Sequence, residues 1–270
     1  MLTELDADLE RRFGGLRRLY GARDYARLRG ARFAVVGLGG VGSWVVEALA
    51  RSGVAALTLI DFDQVSESNI NRQIQALGST VGMAKGDALK QRIADIHPGC
   101  EVTIVDDFVT EENWPALLTT EVDGLIDACD QVRAKAKLAA WARERSLPFV
   151  TVGAAGGKRQ AHLLSIEDLA DTTHDPLLAS LRQRLRKQYG APRSGKMKVA
   201  CVFSREPVHM PAADESDACE VAESSDGSLN CHGYGSSAAV TASFGMAAAA
   251  ELIRSFLQNS CEGQKTRPIM

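Results

Sequence analysis

Apolar residues recur along this chain with two different periods. Short apolar runs of strand length occupy Arg32–Val36, the segment closing on Asp61, Glu101–Val105, and residues 124–128 and 148–152. Between them, residues 41–50, 81–96, 111–118 and 132–145 space their apolar side chains as a helix with one buried face does. Pro98 and Gly99 stop the second of these helices. Beyond residues 153–157 the order changes to a strand over 160–166, a basic helix over 176–189 and a strand over 198–204. A polar, irregular stretch follows over 211–235, then an alanine-rich helix.

Strands alternating with helices pair in parallel through right-handed crossovers. The predicted fold is therefore α/β, a doubly wound, Rossmann-like, mostly parallel sheet with a C-terminal α+β extension. Residues 1–30 read as a helical arm and 31–157 as the nucleotide-binding core. Residues 158–257 read as an extension completing the same domain with substrate and dimer surfaces, and 258–270 as a disordered tail.

The first strand runs straight into Gly37-Leu-Gly39-Gly40-Val-Gly42, and a helix follows. Glycines there let the chain turn tightly and let backbone N–H groups approach a phosphate, while the helix N-terminus favours an anion. Asp61 lies about 20 residues further on, at the end of the second strand, where a carboxylate binds ribose hydroxyls. Asp63 follows it. Asn71, Arg72 and Gln73 come next, and a dinucleotide dehydrogenase has no use for them beside this pocket.

In such a sheet ligands sit outside the carboxyl ends of the strands, which is also where Asp127 and Asp130 fall. Asp130 is placed to hold Mg²⁺ on phosphates, and Arg72 and Lys85 to answer the charge of a triphosphate. Each has a plainer reading: Arg72 as a loop cap, Lys85 as a solvated helix residue, Asp127 as a turn former.

With 270 residues the chain buries a sizeable core, and a formal charge of −3 argues against a protein that coats nucleic acid. Residues 182–198 are locally basic, through Arg182, Arg184, Arg186, Lys187, Arg193, Lys196 and Lys198. That run reads either as a surface for nucleic-acid phosphates or as a solvated amphipathic helix. Residues 236–257 are alanine-rich, but Glu251 and Arg254 interrupt them, so burial is expected rather than a membrane span. No secretory leader pattern opens the chain, and a cytoplasmic enzyme is expected. The six cysteines form no CxxC pair, which removes the usual structural zinc spacing, and the five histidines show no ligand spacing.

The elements GLGGVG, DFDxV, SNxNRQ, Lys85 and DxxD resemble the adenylating domain shared by ubiquitin-activating enzymes and by bacterial activators of sulfur-carrier proteins. The resemblance implies joining of a carboxylate to AMP with release of pyrophosphate. It also implies a homodimer or pseudodimer in which an N-terminal arginine of one subunit reaches the ATP of the other. Here that residue would be Arg18, or Arg17, within RFGGLRRLYG. The run VFSREP is similar to the same family.

Relatives that form thioesters or persulfides carry paired CxxC ligands or a cysteine in the stretch that is here 168–193, and this chain has neither. Nearly end to end it resembles instead the tRNA threonylcarbamoyladenosine dehydratases, through RFGGxxRLYG, DDFVT, DPLLASLRQRLRKQYG, CVFS and TASFG. That likeness implies ATP-dependent cyclisation of threonylcarbamoyladenosine in tRNA, with ATP and Mg²⁺ as cofactors. It leaves room for a monovalent cation near the site and for a partner from a cysteine desulfurase system. Two other classes stay open: an adenylating enzyme for the C-terminus of a sulfur-carrier or ubiquitin-like protein, and a nucleotide-binding interaction protein without turnover.

Overall fold

A computed structural model of the chain describes residues 4–209 and 234–263. The strands are β1 (Arg32–Val36), β2 (Ala56–Ile60), β3 (Glu101–Val105), β4 (Gly124–Asp127), β5 (Phe149–Val152), β6 (Leu164–Asp168) and β7 (Ala200–Ser204). They form one sheet in the order β3-β2-β1-β4-β5-β7-β6. All neighbours run parallel except β6, which pairs antiparallel with β7 at one edge. The strand order reverses between β1 and β4, and the crevice outside their carboxyl ends is where such a sheet receives a ligand.

The helices are α1 (Glu4–Phe13), α2 (Gly15–Arg29), α3 (Gly42–Arg51), α4 (Lys85–Ile96), α5 (Val132–Glu144), α6 (Pro176–Gln188) and α7 (Ala238–Gly263). Phe33 and Val35 of β1 face a core layer shared with α3, α4 and α7. Ala34 and Val36 face a second layer shared with α5 and α6. Cover on both faces explains why β1 is apolar at successive positions instead of alternating.

α7 is long and apolar enough to cross a membrane by length and composition over Ala238–Asn259, yet more than half of that stretch is buried. Val240, Phe244, Leu252 and Leu257 pack into the same core as Val45, Val46 and Leu49 of α3. The approach is tight at Gly245, where a Cβ would stand 2.6 Å from Trp44 Cβ and 2.7 Å from the Val41 carbonyl oxygen. The charges that interrupt the apolar run pair with each other, Arg254 Nε donating to Glu251 Oε2 at 2.7 Å.

α1 and α2 form the arm, with a kink at Gly21, whose φ of 80° lies outside the helical region. Arg12 Nη1 fastens it by donating to the Asp95 and Ile96 carbonyls at 3.0 and 3.2 Å. Phe13 is buried edge-on against His97, with centroids 4.8 Å apart, and the Arg29 guanidinium lies over the Phe13 ring. Burial, with the Arg29 cation beside it, pushes the His97 pKa down to about 4.

Three predicted elements differ. Residues 111–118 form turns, because Pro115 has no N–H to donate and disfavours helical geometry in Trp114. α4 starts at Lys85, since residues 82–84 pair back on 63–65 instead: Gly82 N–H donates to Val65 O at 2.8 Å and Gln64 bridges Ala84. The strand expected over 160–166 is a single 3-10 turn followed by β6, which runs on to Asp168. Nearly all of the polar stretch 211–235, Cys219 and Cys231 within it, and residues 264–270 lie outside the described residues.

Candidate active site

The chain leaves β1 into Gly37, whose φ of +84° is in the left-handed region that glycine tolerates. Its N–H donates back to Ile60 O at 2.9 Å, so the turn is folded over the end of β2. A Cβ on Gly37 would stand 2.8 Å from Cys129 N, and one on Gly42 would overlap the Gly37 carbonyl oxygen. Gly39 faces open space, and Gly40 lies under the Arg72 side chain. The turn thus presents bare backbone to the crevice, with the N-terminus of α3 behind it.

Asp61 is the anchor of this half. Its Oδ2 accepts from Leu38 N–H at 2.6 Å and its Oδ1 from Asp63 N–H at 2.8 Å. Lys85, buried at the start of α4, places Nζ 2.6 Å from Asp63 Oδ2 and 3.6 Å from Asp61 Oδ1. Burial pushes the Asp61 pKa up, and the Lys85 charge and the Leu38 N–H oppose it.

Arg72 sits on the next loop. Its Nη1 donates to Ser68 O at 2.6 Å and to Asn71 Oδ1 at 2.9 Å, and its own carbonyl accepts from Trp44 Nε1 and Thr241 Oγ1, both at 3.0 Å. Asn71 ties the loop to the start of α7, donating from Nδ2 to Ser236 O at 2.8 Å. Gln73 is buried, and its Oε1 accepts from Gln75 Nε2 at 2.9 Å.

These residues line one cleft of about 610 Å³, together with Asp107, Phe108, Asp130, residues 153–156, Leu177 and Tyr234. That size suits a small-molecule ligand. Every sequence-predicted site residue reaches its wall except Gly42, Asp127 and Arg18. Gly42 packs beneath the turn.

Asp127 requires a correction, because its carboxylate points into the protein. Both it and Lys135 are wholly buried, with Lys135 Nζ 3.0 Å from Asp127 Oδ2 and Thr151 Oγ1 donating to the same oxygen at 2.6 Å. It supports the cleft from below, its Oδ1 accepting from Cys129 N–H at 3.2 Å. Burial and the Asp127 carboxylate hold the Cys129 thiol well above its ordinary pKa, so it stays protonated. Arg18 is exposed on α2, outside the cleft of its own chain.

The basic run 182–198 is committed in part to its own fold. Arg182 Nη1 donates to the Leu169 and Thr172 carbonyls at 3.0 and 2.9 Å, and Arg184 pairs with Glu111 at 3.1 Å. Arg186 Nε donates to Pro192 O at 3.2 Å, and Lys196 pairs with Asp171. Lys187, Arg193 and Lys198 are exposed.

The opposite wall was not anticipated. β5 ends in Gly153-Ala-Ala-Gly-Gly157, a second glycine-rich turn directly after a strand, and that order was the available signal. The residues securing it, Lys158, Asp175 and Glu206, are dispersed along the chain and carried no recognisable spacing.

Residues 12–269 match the ThiF family. Among curated proteins, the tRNA threonylcarbamoyladenosine dehydratase of Escherichia coli K12 is 43% identical over 251 residues, covering 91% of this chain and 93% of that protein. Its counterpart from Haemophilus influenzae is 42% identical over 252 residues, covering 92% and 94%. A solved structure of the E. coli tRNA N6-threonylcarbamoyladenosine dehydratase in complex with ATP matches with a TM-score of 0.84 at 39% identity, over 97% of this chain and 99% of that one. The chain belongs to the ThiF family and, within it, to the tRNA threonylcarbamoyladenosine dehydratases.

Proposed function

We propose that the protein uses ATP to remove water from threonylcarbamoyladenosine in tRNA, through a carboxyl adenylate, releasing AMP and pyrophosphate. The observation that carries this reading is the likeness over 97% of the chain to a dehydratase solved with ATP, joined to a glycine-walled cleft where the strand order of this sheet reverses.

The chemistry explains the residues. A free carboxylate is a poor acyl donor because its leaving group would be oxide. Its oxygen attacks the α-phosphorus as the bond to pyrophosphate breaks, and the oxygen to be lost now belongs to AMP. The neighbouring carbamoyl group then attacks the acyl carbon, AMP leaves, and the proton the carbamoyl group gives up passes to water. Held at short range, such a closure reaches an effective molarity of about 10⁵ M or more, so no protein nucleophile is needed. The protonated Cys129 thiol in the cleft wall fits that economy.

In this reading Gly37, Gly39 and Gly40 pass the phosphates close to backbone, Asp61 holds the ribose, and Arg72 and Lys85 offset the charge that builds on the phosphates. Asn71 and Gln73 set the loop that carries Arg72. Among the described residues no cluster of three or more His, Cys, Asp or Glu could hold a metal alone. Of the carboxylates on the cleft wall, Asp130 is the one proposed for Mg²⁺ shared with nucleotide phosphates, where the ion would neutralise charge.

The protein acts in the cytoplasm as a homodimer in which Arg18 of one chain serves the cleft of the other; its exposure outside its own cleft supports this. Adenylation of a carrier-protein tail rests on a shorter likeness, 33% identity to the E. coli molybdopterin-synthase adenylyltransferase over 52% of the chain. Incubation with ATP, Mg²⁺ and threonylcarbamoylated tRNA should remove one water from the nucleoside by mass spectrometry, with one pyrophosphate released. ATP–pyrophosphate exchange driven by a Gly-Gly tail and not by modified tRNA would establish the alternative.

A further inference from the structure

Behind the turn 153–157, three charged side chains are withdrawn from water: Asp175 is 5% exposed, Lys158 3% and Glu206 0%. Burying charge is costly unless each group is paired or hydrogen-bonded. Here the bonds converge on one stretch of backbone. Asp175 Oδ2 accepts from Ala154 N–H at 2.9 Å, and Glu206 Oε2 accepts from Arg159 and Gln160 N–H at 2.9 and 2.8 Å. Lys158 Nζ donates to the His174 carbonyl at 3.2 Å and to the Glu206 carbonyl, joining the two supports. Gly157 completes the clamp, donating to Gly235 O at 2.8 Å and accepting from His209 N–H at 2.9 Å.

The turn has only glycine and alanine side chains and could not stiffen itself. Its front, residues 153–156, lines the same cleft as Arg72, Lys85 and Asp130. Asp175 touches it at closest range: a Cβ on Gly153 would overlap Asp175 Oδ2. The same residue caps α6, its Oδ1 accepting from Leu178 N–H at 3.0 Å, so one carboxylate locks the turn to the start of a helix.

We propose that Asp175 is a positioning residue. From outside the cleft it fixes the wall 153–156, against which the carboxylate-bearing end of the modified nucleoside is held while its oxygen meets the α-phosphate. The proposal rests on the dehydratase reading of the cleft. Backbone without side chains can approach a carboxylate closely, and a wall misplaced by about 1 Å can slow in-line attack about 100-fold.

The test compares the full-length wild type with Asp175→Asn, Asp175→Ser and Gly153→Ala, using ATP, Mg²⁺ and threonylcarbamoylated tRNA. Asn and Ser still cap α6. Asn turns an amide toward Ala154 N–H, Ser falls short of it, and the methyl group added by Gly153→Ala drives the native carboxylate away. Each variant should bind ATP alone about as tightly as the wild type and keep its KM for ATP, while kcat for water loss falls about 10- to 100-fold. Unchanged kcat in all three would overturn the proposal. So would ATP affinity falling in step with kcat, which reports a collapsed cleft and not a displaced wall. A wild type that leaves the modified tRNA intact would overturn the dehydratase reading and, with it, this role for Asp175.

Discussion

At the carboxyl ends of β1 and β2 the cleft is shaped by backbone. Gly37 folds back on Ile60, the Leu38 and Asp63 amides hold Asp61, and glycines stand where β-carbons would collide. Across the cleft, at the ends of β5 and β7, the turn 153–157 is shaped by side chains reaching it from behind. The first arrangement confines its chemistry to a contiguous stretch. The second disperses it from residue 153 to residue 209. A substitution in the first half therefore acts where it lies, and one in the second acts at a distance, through a turn to which it does not belong.

The largest effects are expected from Arg72 in the first half and from Asp130 just past β4, the residues proposed to meet the phosphates. Asp130→Ala and Arg72→Ala should each lower tRNA-dependent pyrophosphate release by about 100-fold or more while the thermal midpoint stays near that of the wild type. Activity retained in both would remove these residues from the chemistry. Lys135 lies beneath the boundary between the halves and should behave like a member of the second kind. Lys135→Met strands a buried Asp127 carboxylate, with an expected loss of about 3–5 kcal/mol in urea unfolding. A loss below about 1 kcal/mol would show that this ion pair is not what supports the cleft floor.

His97, at the end of α4 and packed against the arm, supplies a control outside both halves. The folded-state pKa of His97, about 4, lies below its ordinary 6.5, so the unfolded chain takes up the proton first. The stability linked to it is present above about pH 6.5 and is lost as pH falls toward 4. The gap in urea midpoint between wild type and His97→Leu should shrink over that window, and a gap independent of pH would contradict the assignment. The smallest effect is expected from the basic surface. Lys187→Ala and Arg193→Ala should each flatten the salt dependence of tRNA binding by about one unit of slope, without changing water loss at saturating tRNA. An unaltered slope would place the tRNA elsewhere.

Much of the first half is legible in the sequence because backbone-shaped sites demand glycine, and glycine shows as a pattern. Gly37 to Gly42, Asp61 and the Asn71-Arg72-Gln73 run are consecutive demands of one local geometry. Asp127 misled for a physical reason. Its place at the end of β4 is correct, but the side chain there turns toward Lys135, and pattern alone does not register which way a carboxylate faces. Asp175 and Glu206 were invisible for a related reason. Their partners are backbone amides brought near by tertiary packing, and an amide has no residue type to recognise. The helix expected over 111–118 failed locally, at Pro115.

The close contact between α3 and α7 at Gly245 ties the loop of the first half to a helix far along the chain. The carbonyl of Arg72 is held by Thr241, and Asn71 by Ser236 and the N–H of Ala238. The glycine turn, its acids and its sheet do not by themselves fix the loop bearing Arg72; the start of α7 does. The cleft half that carries Arg72 is therefore complete only once α7, remote in sequence, has packed against α3 and the loop.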